Sequence, residues 1–199
     1  MQTGASPISG WPAFAAARSR AVQSLRGRVL EIGAGQGANF DDLNSGVQWL
    51  GLEPSPKNRR RLADKAQRYG HRSAPLAASA EDIPLRNATV DGVLGTTVLC
   101  SVSSQRLVLN EIDRILVPGG RAVLAEHVGA TRGTFVRKAQ TAIRPLTRLF
   151  DHGCDPTRDT EGSVRASTLQ VDAVSHFAIP VLGRLTVPFV VFELSKPEV

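Results

Sequence analysis

Apolar residues recur along the chain in two kinds of rhythm. Between Pro12 and Leu25, the positions Ala13, Phe14, Ala17, Ala21, Val22 and Leu25 return every three or four residues, with Arg18, Arg20 and Arg26 on the remaining surface. That period predicts an N-terminal helix over 12–26. Short apolar runs follow, bounded by glycine or polar residues: Arg28–Ile32, Gln48–Leu52, Pro75–Ser79, Val90–Thr96 and Gly120–His127. Each has the length of a strand. Between them lie helical segments: Gln36–Asn44; Pro56–Tyr69, with Ser55 as N-cap and proline at a favourable first position; and Ser104–Leu116, capped by Ser103 or Ser104. Strands alternating with helices predict βαβ units, a parallel sheet and the α/β class. Thr134–Phe150 then reads as a basic amphipathic helix interrupted by Pro145. A turn-rich stretch, His152–Gly162, precedes two late strands around Leu169–Ile179 and Val187–Leu194.

Composition narrows the class. The 199 residues are 42% hydrophobic and 21% charged, the balance of one soluble domain that buries roughly 70% of its unfolded surface without needing a disulfide framework or a structural metal. The two cysteines, Cys100 and Cys154, have no CxxC spacing, which favours a reducing, cytoplasmic compartment. Met1–Gly10 carries no signal-peptide pattern. The most apolar stretch, Phe177–Leu194, is broken by Pro180, Gly183, Arg184 and Pro188, too often for a spanning helix. A net charge of +6 brings nucleic acid and anionic membrane into consideration, but with 5% aromatic residues and no stacking motif a base-reading module is poorly supported.

The segment richest in chemistry is Val29-Leu30-Glu31-Ile32-Gly33-Ala34-Gly35-Gln36-Gly37-Ala38-Asn39-Phe40, an apolar strand running into glycines. Such a turn lets a ligand approach the backbone where a Cβ would clash. Gly33, Gly35 and Ala38 satisfy the dinucleotide fingerprint, and Glu53 falls at the end of the next strand, where a carboxylate suits ribose hydroxyls. The loop alone therefore fits either a nicotinamide or S-adenosylmethionine (SAM). Two features favour SAM. Glu31 stands two residues before the first glycine, where it would repel a pyrophosphate but suits an ammonium and a sulfonium. The only tyrosine, Tyr69, is followed four residues on by Ser73, so no Tyr-xxx-Lys pair exists. Further along, Ala80-Glu81-Asp82-Ile83-Pro84 closes the Pro75–Ser79 run, placing Asp82 to accept from an adenine amino group and Ile83 to cover the ring. Thr97-Val98-Leu99 ends the Val90–Thr96 strand, and Pro118-Gly119-Gly120 stops a helix before the next strand.

Taken in this order, these motifs resemble the class I SAM-dependent methyltransferases over Arg28–His127. The resemblance implies a Rossmann-like, seven-stranded, mostly parallel sheet in the order 3-2-1-4-5-7-6 with helices on both faces. It implies one methyltransferase domain over 1–199, made of an N-terminal helix (12–26), a cofactor core (28–128), a lid and substrate region (130–165) and two final strands (167–195). The cofactor residues it implies are Glu31, Gly33, Ala34, Gly35, Gly37, Asn39, Phe40, Glu53, Pro54, Ala80, Glu81, Asp82, Ile83, Thr97, Val98 and Leu99. Gly37-Ala38-Asn39-Phe40, Thr97-Val98-Leu99-Cys100-Ser101-Val102, Glu126-His127-Val128 and Gly153-Cys154-Asp155-Pro156-Thr157-Arg158-Asp159-Thr160 look, more closely, like the methyltransferase-like thiol S-methyltransferases. Gln36, Pro156 and Glu161 depart from that pattern, and the animal members' N-terminal membrane anchor has no counterpart in this sequence.

The resemblance implies methyl transfer to a small molecule, a thiol first among the acceptors, with amines, hydroxyls, lipids and quinones as the alternative. A basic membrane- or RNA-binding protein that keeps the fold is the non-enzymatic alternative. A thiol with a pKa near ~8.5 needs only mild activation. Candidates on the acceptor side are His127, Cys154 and Arg158 as catalytic residues, with His152 and Asp155 nearby; Cys100 reads as a packing residue. No pair of histidines has metal-ligand spacing, so no metal is expected. Substrate choice falls to Trp11–Arg26 and Thr131–Arg165. In the basic helix, Phe135, Ala139, Ile143, Leu146 and Phe150 share one face, read as covering the acceptor pocket, with weak membrane-surface contact as a second reading.

Overall fold

The computed structural model describes residues 8–150, 153–182 and 185–198; His152, one of the acceptor-side candidates, lies outside them. In chain order the elements are β1 (Ile8–Ser9), α1 (Trp11–Ser24), β2 (Arg28–Ile32), β3 (Gln48–Leu52), α2 (Pro56–Arg68), β4 (Val90–Thr96), α3 (Gln105–Ile115), β5 (Leu116–His127), α4 (Phe135–Phe150), α5 (Thr160–Arg165), β6 (Gln170–Leu182) and β7 (Leu185–Ser195). They form one mixed sheet in the order β3-β2-β4-β5-β7-β6-β1. The pairs β3-β2, β2-β4 and β4-β5 are parallel, while β7 runs antiparallel to both of its neighbours.

Alternation along the inner strands distributes the core to the two faces of the sheet. Leu30 and Ile32 of β2 and Val93 of β4 pack with Leu109 and Ile112 of α3 and Val164 of α5. The intervening Val29 and Leu94 pack on the other face with Val22 of α1, Leu62 of α2 and Phe177 of β6. Leu62 is fully buried, so truncation to alanine costs about 2–5 kcal/mol in lost transfer and cavity terms. Local signals start the helices where expected. Ser55 Oγ accepts from Asn58 N (3.4 Å), with Pro56 opening α2, and Ser104 Oγ accepts from Leu107 N (3.3 Å).

Several expectations are corrected. The segment Pro75–Ser79 is not a strand but a single bridge between Leu76 and Leu52, so the expected seven-stranded order is not obtained; the seventh strand is instead β1, beside β6 at the opposite edge. Pro75 has no N–H and the run is alanine-rich, a poor basis for an edge ladder. Gln36–Asn44 is a series of turns and not a helix, because Gly37 sits at φ +76° near its start. The Pro118-Gly119-Gly120 segment lies within β5, where the pairing with β4 shifts register, and does not precede it. The basic helix is not interrupted: α4 runs through Pro145.

Candidate active site

The carboxyl ends of the four parallel strands bring the sequence motifs to one edge of the sheet. The glycine turn follows β2, Glu53 follows β3, Thr97 follows β4, and His127 ends β5. The chain leaves β2 for β3 on one side and later returns to β4 on the other, so the crevice beside β2 is a topological switch point, where open α/β sheets bind ligands.

The three loop glycines all have left-handed φ, +57° at Gly33, +55° at Gly35 and +76° at Gly37, but their surroundings differ. A Cβ on Gly33 would lie 2.7 Å from Val98 Cγ2, and one on Gly37 2.3 Å from the Phe40 ring. Those two are glycines because the protein's own side chains press on them. At Gly35 the nearest atom to an added Cβ is Gly33 O, at 3.9 Å. The bare face of Gly35 is therefore open, as a cradle for a ligand requires.

Around this turn the predicted cofactor residues divide into two sets. Gly33, Gly35, Pro54, Glu81, Asp82 and Thr97 are partly or fully exposed. Thr97 is also a β-branched residue at φ +53°, a left-handed conformation that costs stability at the end of β4. The other set is buried support. Glu31, 1% exposed, accepts from Asn39 Nδ2 (2.8 Å) and Trp49 Nε1 (2.7 Å), and Asn39 Nδ2 also reaches Thr96 Oγ1 (3.1 Å). Burial pushes the Glu31 carboxyl up to about 6 against the pull of these bonds. Glu31 thus ties the turn to β3 and β4, and the expected direct approach to a ligand ammonium gives way to a positioning task. Phe40 packs in the aromatic cluster with Trp49, Tyr69 and His71, and Ala34, Ala80, Val98 and Leu99 are buried. Ile83, expected to cover an adenine, has its side chain in the core, 2% exposed. Its N–H donates to Glu111 Oε2 (2.8 Å) and its carbonyl accepts from Arg114 Nη2 (2.9 Å).

Two carboxylates, Glu53 and Asp82, are the acids expected to take part in polar recognition. Glu53 Oε2 accepts from Gly35 N (2.9 Å) and its Oε1 from Ser55 N (2.9 Å), stapling the glycine turn to the end of β3. Each oxygen keeps a second lone pair for a hydroxyl. Asp82 is exposed, and among the described residues nothing donates to its carboxylate. Glu81 accepts from Ser103 N (2.6 Å) and from Ser79; burial would raise its carboxyl, but these hydrogen bonds outweigh it and hold it below the ordinary value. An open glycine cradle flanked by two carboxylates fits the hydroxyls and amino group of an adenosine and repels a pyrophosphate. The donor set fits SAM, with Gly33 and Gly35, Glu53, Asp82 and Thr97 to hold it.

On the acceptor side, His127 Nε2 lies 3.1 Å from Cys154 Sγ, and Cys100, His127 and Cys154 place one donor atom each within 4.8 Å of the other two. The neighbouring Cys154 thiol and burial hold the Cys100 thiol well above its ordinary value. Sequence reasoning paired His127 with Cys154 as candidates but assigned Cys100 to packing. It also passed over Glu126, which is fully buried with Oε1 accepting from Val98 N (2.9 Å) and Leu99 N (3.2 Å). Burial pushes that carboxyl up to about 7. Glu126 anchors the loop that carries Cys100; an acid beside the predicted His127 was the one available signal. Arg158 is a brace: its Nη2 donates to Val102 O (2.6 Å) and its carbonyl accepts from Gly129 N (2.9 Å). Asp155 N donates to Cys100 O (2.9 Å), and the Asp155 carboxylate pairs with Arg144 of α4 at 2.8 Å.

The face of α4 is the reverse of the expectation. Gln140, 3% exposed, accepts from Ala130 N (2.8 Å) and donates to Val128 O (3.1 Å), while Arg137 and Arg144 also reach inward. Phe135, Ile143, Leu146, Leu149 and Phe150 point out, at 46–78% exposure. The apolar stripe does not cover an acceptor pocket.

A parallel sheet with this switch point, a glycine cradle and flanking acids is the arrangement of Rossmann-like, SAM-binding methyltransferases. Comparison agrees: residues 30–124 match the family model described as a methyltransferase domain. The structure superposes on the YcgJ protein of Bacillus subtilis with a TM-score of 0.73 at 17% identity, covering 94% of this chain and 99% of that one. It also superposes on a geranyl diphosphate methyltransferase in complex with SAM, with a TM-score of 0.70 at 13% identity over 92% and 84% of the two chains. These matches support a class I, SAM-dependent methyltransferase, with SAM as the cofactor. Among characterised relatives it is similar to the Homo sapiens thiol S-methyltransferases TMT1A (29% identical over 165 residues, 81% of this chain and 68% of that protein) and TMT1B (35% over 135 residues, 66% and 55%). It spans about half to two thirds of the length of these relatives.

Proposed function

We propose that the chain methylates the sulfur of a small thiol. The observation that carries this reading is the likeness to the thiol S-methyltransferases, which extends beyond the family core into the segment holding Cys154. SAM supplies an electrophilic methyl group on a sulfonium. The chain's own residues then bind, orient and exclude water. Glu53 and Asp82 would accept from the adenosine and Gly35 would let the ligand lie against main chain, while Glu53 and the Glu31–Asn39 pair keep that turn in place. His127 and Cys154, 3.1 Å apart, would face the acceptor, and Arg158 and Glu126 hold the loops around them. In-line displacement on carbon needs alignment and a dry approach more than a strong base, provided the acceptor is already partly a thiolate. Labelled SAM offered with thiols, phenols, amines and phospholipids tests the reading. Label in thioethers is expected; label confined to amines or phospholipids overturns it.

A second reading concerns location, and the outward apolar face of α4 favours it. Five large apolar side chains on one exposed helix face, with Lys138 and Arg148 exposed on the same helix and a net charge of +6, suit the surface of an anionic bilayer. Among the described residues no helix is long and apolar enough to cross one. Flotation with vesicles containing phosphatidylserine is expected to carry the protein, and Phe135→Ser with Leu149→Ser and Phe150→Ser to abolish it. Equal flotation of that variant would remove this reading.

A further inference from the structure

The cluster of Cys100, His127 and Cys154 has a geometry that thiol packing alone does not require. Its members come from three separate segments: the loop after β4, the last residue of β5, and the stretch before α5. One donor atom from each lies within 4.8 Å of both others, and His127 Nε2 is 3.1 Å from Cys154 Sγ. Tetrahedral zinc with Zn–S near ~2.3 Å and Zn–N near ~2.0–2.1 Å sets its donors about 3.5–3.8 Å apart. The cluster needs only small side-chain adjustments to meet that spacing.

The backbone beneath the donors is bolted together independently of them. Asp155 N donates to Cys100 O, which joins the two cysteine segments (2.9 Å); Arg158 bonds Val102 O; and Gly129 N bonds Arg158 O, which joins the end of β5 to the same unit. Glu126 holds the main chain just before Cys100. Cys100 and Cys154 are buried and His127 is half-buried, at the edge where the cofactor cradle lies. Preorganised donors on a rigid frame are what a metal site requires.

We infer that Cys100, His127 and Cys154 form a Cys2His zinc site whose fourth coordination position takes the sulfur of the methyl acceptor. Two thiolates and an imidazole are borderline-soft donors that suit zinc, and three protein ligands with one open position is the pattern of catalytic and not of structural zinc. Metal uptake displaces the two cysteine protons and leaves a site of no net charge. Coordination of an acceptor thiol then forms one zinc–sulfur bond and releases its proton to solvent; no electron changes hands. The acceptor is thereby held as a thiolate below its ordinary pKa, with no protein base needed. The role of the fourth position rests on the thiol reading above; the metal site itself does not.

The test uses the full chain, purified and reduced. Zinc measured by plasma mass spectrometry after dialysis is expected at one per chain, and Cys100→Ser, Cys154→Ser and His127→Gln are each expected to lower retention about tenfold or more. Calorimetric binding of S-adenosylhomocysteine by each variant confirms that its fold is intact. Cobalt substitution is expected to give a thiolate-to-cobalt charge-transfer band, and added alkyl thiol to shift it. A reduced native chain that binds S-adenosylhomocysteine but takes up neither zinc nor cobalt overturns the site, as does a Cys100–Cys154 disulfide whose reduction restores no metal uptake. A cobalt band that alkyl thiols leave unmoved overturns the fourth-position role alone. Zinc uptake without methylation of any thiol in the labelled panel instead defeats the thiol reading and leaves the metal site standing.

Discussion

Gly35→Ala separates a glycine kept for its ligand from one kept for its fold. At φ +55° an alanine costs about 1–2 kcal/mol, offset by about 0.4–1 kcal/mol from a stiffer unfolded chain. The new Cβ meets nothing nearer than 3.9 Å, so no overlap is added. The net loss is about 1 kcal/mol, which for a chain of this length lowers Tm by roughly 2–4 °C. The same methyl group would occupy the open cradle, where overpacking of 1–3 kcal/mol falls on the complex, so S-adenosylhomocysteine should bind about tenfold more weakly or worse. Gly37→Ala is the counter-case. Its Cβ would lie 2.3 Å from the Phe40 ring, itself stacked with Tyr69 and His71. Strain and overlap together cost about 3 kcal/mol, roughly 6–12 °C in Tm. Differential scanning calorimetry and titration calorimetry on the two variants read both quantities. A folded Gly35→Ala that binds S-adenosylhomocysteine within about threefold of the native chain would refute the assignment of the cradle.

Asp82→Ala should weaken S-adenosylhomocysteine about tenfold in calorimetry with Tm unmoved, since the side chain is exposed and loses no intramolecular hydrogen bond. Glu111→Ala should cost about 1–3 kcal/mol in urea denaturation by stranding Ile83 N and Arg114, and should also weaken the ligand because the Asp82 loop loses its anchor. Glu31 and Glu126 predict a pH dependence. Their folded pKa values, about 6 and about 7, stand above the ordinary 4.5, so between those values the folded state holds more protons than the unfolded one. Stability from these groups is full below pH 4.5 and lost as pH rises to about 7, by roughly 2 and 3 kcal/mol. His71, held below 6.5 by burial, works in the opposite sense as pH falls through 6.5. Urea titrations from pH 5 to 8 should therefore show a downward slope that Glu126→Gln flattens; an unchanged slope in that variant would contradict the burial argument.

Most of the sheet was legible because strand length and burial on both faces leave short, mainly apolar runs, as at Val29–Ile32 around Glu31 and at Val90–Leu94 around Asp91. The failures have particular causes. At Pro75–Ser79 the apolar run was real, but proline and alanine could not sustain a ladder at an edge. In Gln36–Asn44 one left-handed glycine outweighed helical spacing. In α4 the periodicity correctly found a stripe, but a stripe does not say which side faces the protein. The buried Gln140 and the Arg144–Asp155 pair decide that, and both depend on partners from other segments. The same holds for the site. The glycine turn and its acids are local patterns and could be read directly, although not that Glu31 and Ile83 turn inward. Cys100, by contrast, became a ligand candidate only when folding brought it to His127 and Cys154.

The central claim is SAM-dependent methylation of sulfur. The measurement that meets it most directly is transfer of a deuterated methyl group from SAM to a small alkyl thiol, read as the thioether by mass spectrometry, for the native chain and for Asp82→Ala. Labelled thioether from the native chain, with a reduced rate for the variant at limiting SAM that excess SAM restores, is the predicted result. A native chain that binds S-adenosylhomocysteine yet labels no thiol, while labelling an amine or a phospholipid, would contradict it.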